Sequence, residues 1–198
     1  MKHPAPNFCI NHGILEGANV MTSPNFNERP PNAIISGIVI HNISLPPSNF
    51  GRTNADGVHF VKAFFQNKLN ANDHAYFKTI ANLQVSAHLF IERDGTVTQF
   101  VNFDDRAWHA GQSSYLGRTN CNDFTIGIEL EGDDFTPFTD EQYEVLASII
   151  IAIYTAYPAT QRQLMGHSDI APQRKSDPGE HFEWHKLRQM VQNKLNKA

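Results

Sequence analysis

The chain has 198 residues, 40% of them hydrophobic and 18% charged, with a net charge of −4 when histidine is neutral. That length fits one domain able to bury a sizeable core, and the composition is that of a folded soluble protein. An acidic balance with no basic stripe argues against a nucleic-acid binder, and the longest apolar stretch, Val145 to Tyr157, is too short to span a membrane.

Residues 1–30 are rich in Pro and Asn and read as an irregular segment at the start of a single domain covering 1–198. They lack the basic start and apolar run of a signal peptide. Lys2 stands where a myristoylation signal needs glycine. The expectation is a cytoplasmic protein in which Cys9 and Cys121 are reduced thiols.

Ala33 to Ile43 reads as a buried strand, because Ile34-Ile35 and Ile38-Val39-Ile40 are β-branched runs. Leu45 to Asn49 holds two prolines and must be loop. Val58 to Phe65 has apolar residues at helical spacing, and His74 to Leu83 is a second short helix. Val85 to Glu92 and Thr96 to Phe103 form a hairpin across Asp94-Gly95, a two-residue turn signal. Phe124 to Glu131 alternates and stops at Gly132, as a strand does. Phe138 to Tyr157 is a helix with Thr139 and Gln142 as a capping box and Pro158 as its stop. Gln163 to Met165 is a short strand, and Phe182 to Asn196 a terminal helix. Strands and helices mix without a strict βαβ rhythm, which predicts an α+β domain: a mixed central sheet flanked by helices.

Two His and one Asp are three ligands for zinc, and three protein ligands leave a position open for water. His41 ends the first strand, while His167 and Asp177 stand ten residues apart in a stretch punctuated by Pro172, Pro178 and Gly179, which is expected to be loop without helix. Each has a plainer reading: His41 as a core histidine bonded to backbone, the stretch as a solvated polar loop.

Glu129 lies in an apolar strand, where a carboxylate is costly unless paired or used. Near a metal it can hold a proton taken from water. Glu131 shares its face, so the two also suit a glycosidase pair, or simply line a solvated face. Lys175, two residues before Asp177, can stabilise charge on a carbonyl oxygen or stand on the surface. His88 and His109 sit in strand-like contexts and can hydrogen-bond at a site. Trp108 can stack on a sugar or pack in the core. His181 and His185 have metal-binding spacing, but Phe182 stands where the zincin motif needs Glu; they read as surface or packing residues.

Several blocks in order resemble the zinc-dependent N-acetylmuramoyl-L-alanine amidases of the AmpD type: Ile38-Val39-Ile40-His41-Asn42, Val85-Ser86-Ala87-His88, Arg106 to Gly111, Cys121-Asn122-Asp123-Phe124, Gly127 to Gly132, and His167 to Gly179. The resemblance runs from about Ile34 to Trp184. It implies a fold shared with peptidoglycan recognition proteins. It implies Zn2+ on His41, His167 and Asp177, with Glu129 and Lys175 as catalytic residues. Asn42, Trp108 and Tyr76 are the candidates for holding substrate. The implied substrate is a cytoplasmic 1,6-anhydro-N-acetylmuramoyl peptide released during wall recycling, cut between the lactyl group and L-alanine; no protein partner is implied. Gln84, Asn120 and Gln173 depart from the family pattern and bear on substrate contacts, not on the metal. A longer insertion around Asn54 to Asn72 is placed to reshape one rim of the cleft. The competing readings are a muropeptide-binding sensor without turnover and a glycosidase using Glu129 and Glu131.

Overall fold

The computed structural model describes residues 8–161 and 163–196. Its centre is a six-stranded mixed sheet of β1 (Asn19–Val20), β2 (Gly37–Ile43), β3 (Leu89–Ile91), β4 (Val97–Gln99), β5 (Thr125–Glu131) and β6 (Leu164–Gly166), in the order β6-β2-β5-β3-β4-β1. The four strands β6, β2, β5 and β3 run parallel; β4 turns back against β3, and β1 runs alongside β4. The mixed central sheet flanked by helices that the sequence predicts is therefore present. The N-terminal segment expected to be irregular supplies an edge strand in its described part, because Asn19 and Val20 pair with Thr98 and Gln99. Its residues 1–7 lie outside the described residues.

Strand period sorts the two faces. Ile38 and Ile40 of β2, Ile126, Ile128 and Leu130 of β5, and Leu89 and Ile91 of β3 pack into one core with α3 (Asp140–Ala156) and α5 (Trp184–Leu195). The α3 helix starts where its sequence says it should. Thr139 Oγ1 accepts from the Gln142 N–H at 3.1 Å, and Gln142 Oε1 accepts from the Thr139 N–H at 3.1 Å. The buried Gln142 amide also donates to the carbonyls of Glu131 and Ile91, tying the helix start to the carboxyl ends of β5 and β3.

The other face carries a second core, built by α1 (Phe60–Phe65) and α2 (Phe77–Ile80) over Phe90 and Phe100, and a third around Val39, Phe124, Met165 and Ile170. Both helices are shorter than their apolar spacing predicts: α1 begins after His59, whose Nδ1 accepts from the Val61 N–H, and α2 is a single turn. The β3–β4 hairpin also differs from expectation. Glu92 N–H donates to Thr96 O, so the loop is Arg93-Asp94-Gly95, three residues rather than two. Gly95 takes the left-handed φ of +85° that such a loop requires. No helix among the described residues is long and apolar enough to cross a membrane.

Candidate metal centre and active-site cleft

Odd-numbered residues of β2 and β5 turn away from α3, so His41 and Glu129 share the opposite face. The two are register partners on adjacent parallel strands. His167 opens α4 (His167–Ile170), a single helical turn directly after β6, and the Ala171 N–H donates to the His167 carbonyl. This corrects the expectation of a loop without helix: β6 ends beside β2, and the chain turns at once to return over the strand ends. The Ser168 N–H then bonds the Asp177 carbonyl at 3.0 Å, which folds the ten-residue excursion back on its start. The result is a crevice at the carboxyl ends of parallel strands, the usual place for a ligand in an open sheet.

Three side chains converge there. His41 Nδ1, His167 Nδ1 and Asp177 Oδ2 stand 3.0 to 3.1 Å from one another. Among the described residues they form a group that can hold a metal ion. The outer nitrogens decide the chemistry. His167 Nε2 faces the Ala110 carbonyl at 3.1 Å, which can only accept, so Nε2 carries a proton; in the neutral ring Nδ1 is then bare. His41 Nε2 faces His109 Nδ1 at 2.9 Å. Burial pushes the His41 pKa down to about 4, so the ring is neutral. Burial works against ionisation of Asp177, but contact with the two imidazoles outweighs it and holds the carboxyl below the usual range. A bare His167 nitrogen and a carboxylate oxygen at 3.1 Å repel unless a cation sits between them. Three ligands each ~2.0–2.1 Å from one tetrahedral ion stand ~3.3 Å apart, close to what is seen. The donor set fits a metal.

Glu129 is 9% exposed, and among the described residues its Oε2 has no hydrogen-bond partner. Burial and the nearby Asp177 raise its pKa well above the ordinary value, while Lys175 works in the opposite direction. An unpartnered buried carboxylate oxygen facing a cleft is held ready for a group that comes from outside. Glu131 has the opposite fate. Its carboxylate accepts from His59 Nε2 at 2.8 Å, the Gly51 N–H at 2.5 Å and the Arg93 N–H at 3.2 Å. It clasps the loop before α1 to the sheet, so Glu131 is not free to serve as the second carboxylate of a glycosidase pair with Glu129.

The cleft has a volume of about 590 Å³ and is lined by His41, Glu129, His167, Lys175 and Asp177. Asn42, Tyr76 and Trp108 line it too. Asn42 Nδ2 donates to Asp134 Oδ1 at 2.7 Å, and Trp108 Nε1 donates to Asn27 Oδ1 at 2.7 Å. Tyr76 stands exposed on the rim. The insertion around Asn54 to Asn72 reaches the cleft through Phe64 and Phe65.

Asp134 and Phe135 also line the cleft, and the sequence did not single them out. Asp134 accepts from both Asn42 and Ser176 and so pins the Asp177 segment to the end of β2. Phe135 presents an exposed ring at the rim. Both lie in a loop whose only sequence signal was the Asp133-Asp134 pair after Gly132. His181 and His185 are exposed and stand apart from the cluster. Of the departures, Gln84 and Gln173 are exposed, and Asn120 takes a left-handed φ of +57°, which asparagine tolerates.

The family model for N-acetylmuramoyl-L-alanine amidases matches residues 30–180. The chain belongs to that family and is an amidase. It is 48% identical to the 1,6-anhydro-N-acetylmuramyl-L-alanine amidase AmpD of Citrobacter freundii, over 92% of this chain and 94% of the relative. It is 46% identical to the AmpD of Escherichia coli, over 92% and 96%. A crystal structure of a selenomethionine AmpD derivative superposes with a TM-score of 0.87 at 48% identity, covering 92% of this chain and 98% of the other. The Escherichia coli amidase AmiD, solved with anhydro-N-acetylmuramic acid-L-Ala-D-γ-Glu-L-Lys, aligns with a TM-score of 0.58 at 25% identity, over 93% of this chain and 65% of that one.

Proposed function

We propose that residues 1–198 form one amidase domain that hydrolyses the amide between the lactyl group of 1,6-anhydro-N-acetylmuramic acid and L-alanine, acting on cytoplasmic muropeptides in cell-wall recycling. The observation that carries this reading is the buried, unpartnered Glu129 Oε2 beside the His41–His167–Asp177 cluster. High identity to relatives named for this substrate over nearly their whole length supports it.

The metal is zinc, which suits two imidazoles and one carboxylate with a fourth position open. Bound there, zinc supplies Lewis acidity that polarises a carbonyl and lowers the pKa of water. Glu129 takes the proton of the attacking water and passes it to the alanine amine as the amide bond breaks. Lys175 sits in the same cleft and shares the negative charge that grows on the carbonyl oxygen. Asn42, Tyr76 and Trp108 hold the peptide and sugar, with the Trp108 ring offering an apolar face.

The test is incubation of the purified protein with an anhydromuramoyl tripeptide, with and without chelator, read by mass spectrometry. Free stem peptide that vanishes with chelator and returns with zinc is the expected result. Intact substrate under every condition overturns the reading in favour of a binding role, and chelator-resistant release of sugar would point to a glycosidase.

A further inference from the structure

Behind the metal cluster lies a chain of hydrogen bonds whose direction is set by one group. Thr125 Oγ1 lies 2.7 Å from the Cys121 carbonyl, which can only accept, so the hydroxyl donates there. The same oxygen lies 3.2 Å from His109 Nε2 and, its proton spent, must accept from it. His109 therefore carries its proton on Nε2 and presents a bare Nδ1. That Nδ1 stands 2.9 Å from His41 Nε2. His41 must donate, which leaves its Nδ1 bare toward His167 and Asp177.

The neighbouring backbone serves the second histidine. Asn122 Oδ1 accepts from the N–H groups of both His109 and Ala110, at 3.1 and 2.8 Å. The clamped Ala110 then presents its carbonyl to His167 Nε2. Space for the imidazole comes from β5: a Cβ on Gly127 would lie 2.3 Å from His109 Cγ. His109 is itself buried, 8% exposed.

We propose that His109 is a positioning residue: with Thr125 it fixes the tautomer and ring orientation of His41, while the Asn122-clamped Ala110 carbonyl does the same for His167. The inference rests on the reading of His41 and His167 as metal ligands. Groups of this kind hold ligand rings in register, and their loss typically costs ~10–100-fold in metal affinity.

The test is zinc affinity of the full chain, by competition with a chromophoric chelator, for wild type, His109→Leu, His109→Asn and Thr125→Val. Thermal unfolding of the metal-free forms is recorded alongside. His109→Leu is expected to weaken zinc ~10–100-fold. His109→Asn, whose Oδ1 can stand in for Nδ1, should recover most of the loss, and Thr125→Val should lose less than His109→Leu. In nitrogen-15 spectra of the zinc-loaded wild type, His41 should carry its proton on Nε2. Unchanged affinity in both His109→Leu and Thr125→Val, or a proton on His41 Nδ1, overturns the inference alone. A wild type that takes up no zinc overturns the ligand reading and the inference with it. If His109→Leu does not fold, Thr125→Val and the wild-type spectrum still decide.

Discussion

His41 and Glu129 face each other as register partners on adjacent parallel strands, β2 and β5. Neighbouring strands lie ~4.8 Å apart, so the pairing alone brings an imidazole of the His41–His167–Asp177 cluster and a buried carboxylate to the same end of the same face. The separation is fixed by the sheet rather than by a loop. Rigid elements position reacting groups more precisely than loops do.

The division of labour between ligand and base gives the first prediction. Asp177→Ala should abolish metal retention after dialysis. Glu129→Gln should keep the metal and lose turnover by a factor on the order of 10² to 10⁴. Metal content by mass spectrometry and steady-state rates on an anhydromuramoyl peptide separate the two. Normal activity with full metal in Asp177→Ala would refute the ligand assignment.

Lys175 is exposed, so its substitution should leave the fold within about 0.5 kcal/mol of wild type. Lys175→Met should nonetheless lower kcat on the order of 10²- to 10³-fold with KM little changed, because its charge matters when the carbonyl oxygen becomes negative. A loss carried by KM instead would make it a ground-state binding residue.

Helix α3 and most of strand β2 were legible because local signals agree with the fold: the Ile38-Val39-Ile40 run in one, a capping box and Pro158 stop in the other; the strand read from Ala33 begins only at Gly37, and Ile34 of the first β-branched run is exposed. The sites on those elements, His41 and Glu129, could be placed on a strand face from period alone. What escaped depends on contacts remote in the chain. The turn of helix at His167 exists because β6 ends against β2 and the chain must double back to bond Ser168 to Asp177. Nothing in the polar run Gln173 to Ser176 announces that. Glu131 shares parity with Glu129, yet one is a clasp and the other keeps an oxygen without a hydrogen-bond partner among the described residues, and only the arrival of His59 and Gly51 distinguishes them. Asp134 belongs to the same class, since its partners Asn42 and Ser176 are 92 and 42 residues away.

The Glu131 clasp gives a stability prediction. Burial opposes its ionisation, but the bonds from His59, Gly51 and Arg93 win and hold its pKa below the usual value. A depressed carboxylate stabilises the fold above its unfolded pKa of ~4.3, and that contribution is lost as pH falls from there through the folded pKa. Glu131→Gln should cost on the order of 1–3 kcal/mol at pH 7. It should also flatten the fall in stability below pH ~4.3. Urea unfolding at pH 7 and pH 3.5 measures both, and an equal acid loss in variant and wild type would remove Glu131 from the account.

His88 acts in a higher pH window. It is fully buried under Phe103, its Nδ1 accepts from the Gly127 N–H at 3.0 Å, and Arg29 lies 3.1 Å from its Nε2. Burial first, and the Arg29 charge second, push its pKa down to about 3. Protonation would set one N–H against another at Gly127, so the folded state refuses the proton. The unfolded chain takes it up near pH ~6.5. Stability contributed by neutral His88 is thus complete above pH ~6.5 and declines by ~1.4 kcal/mol per pH unit as pH falls from there toward the folded value. His41 and His109 are also buried and neutral and add to the same trend, so a difference measurement is needed. In His88→Asn the amide oxygen can keep the Gly127 bond while the titration is gone. Between pH 6 and 5 the variant should therefore lose ~1.2 kcal/mol less than wild type in urea unfolding. Parallel curves for the two proteins would mean that His88 is charged in the folded state and that the Gly127 bond is not what holds it.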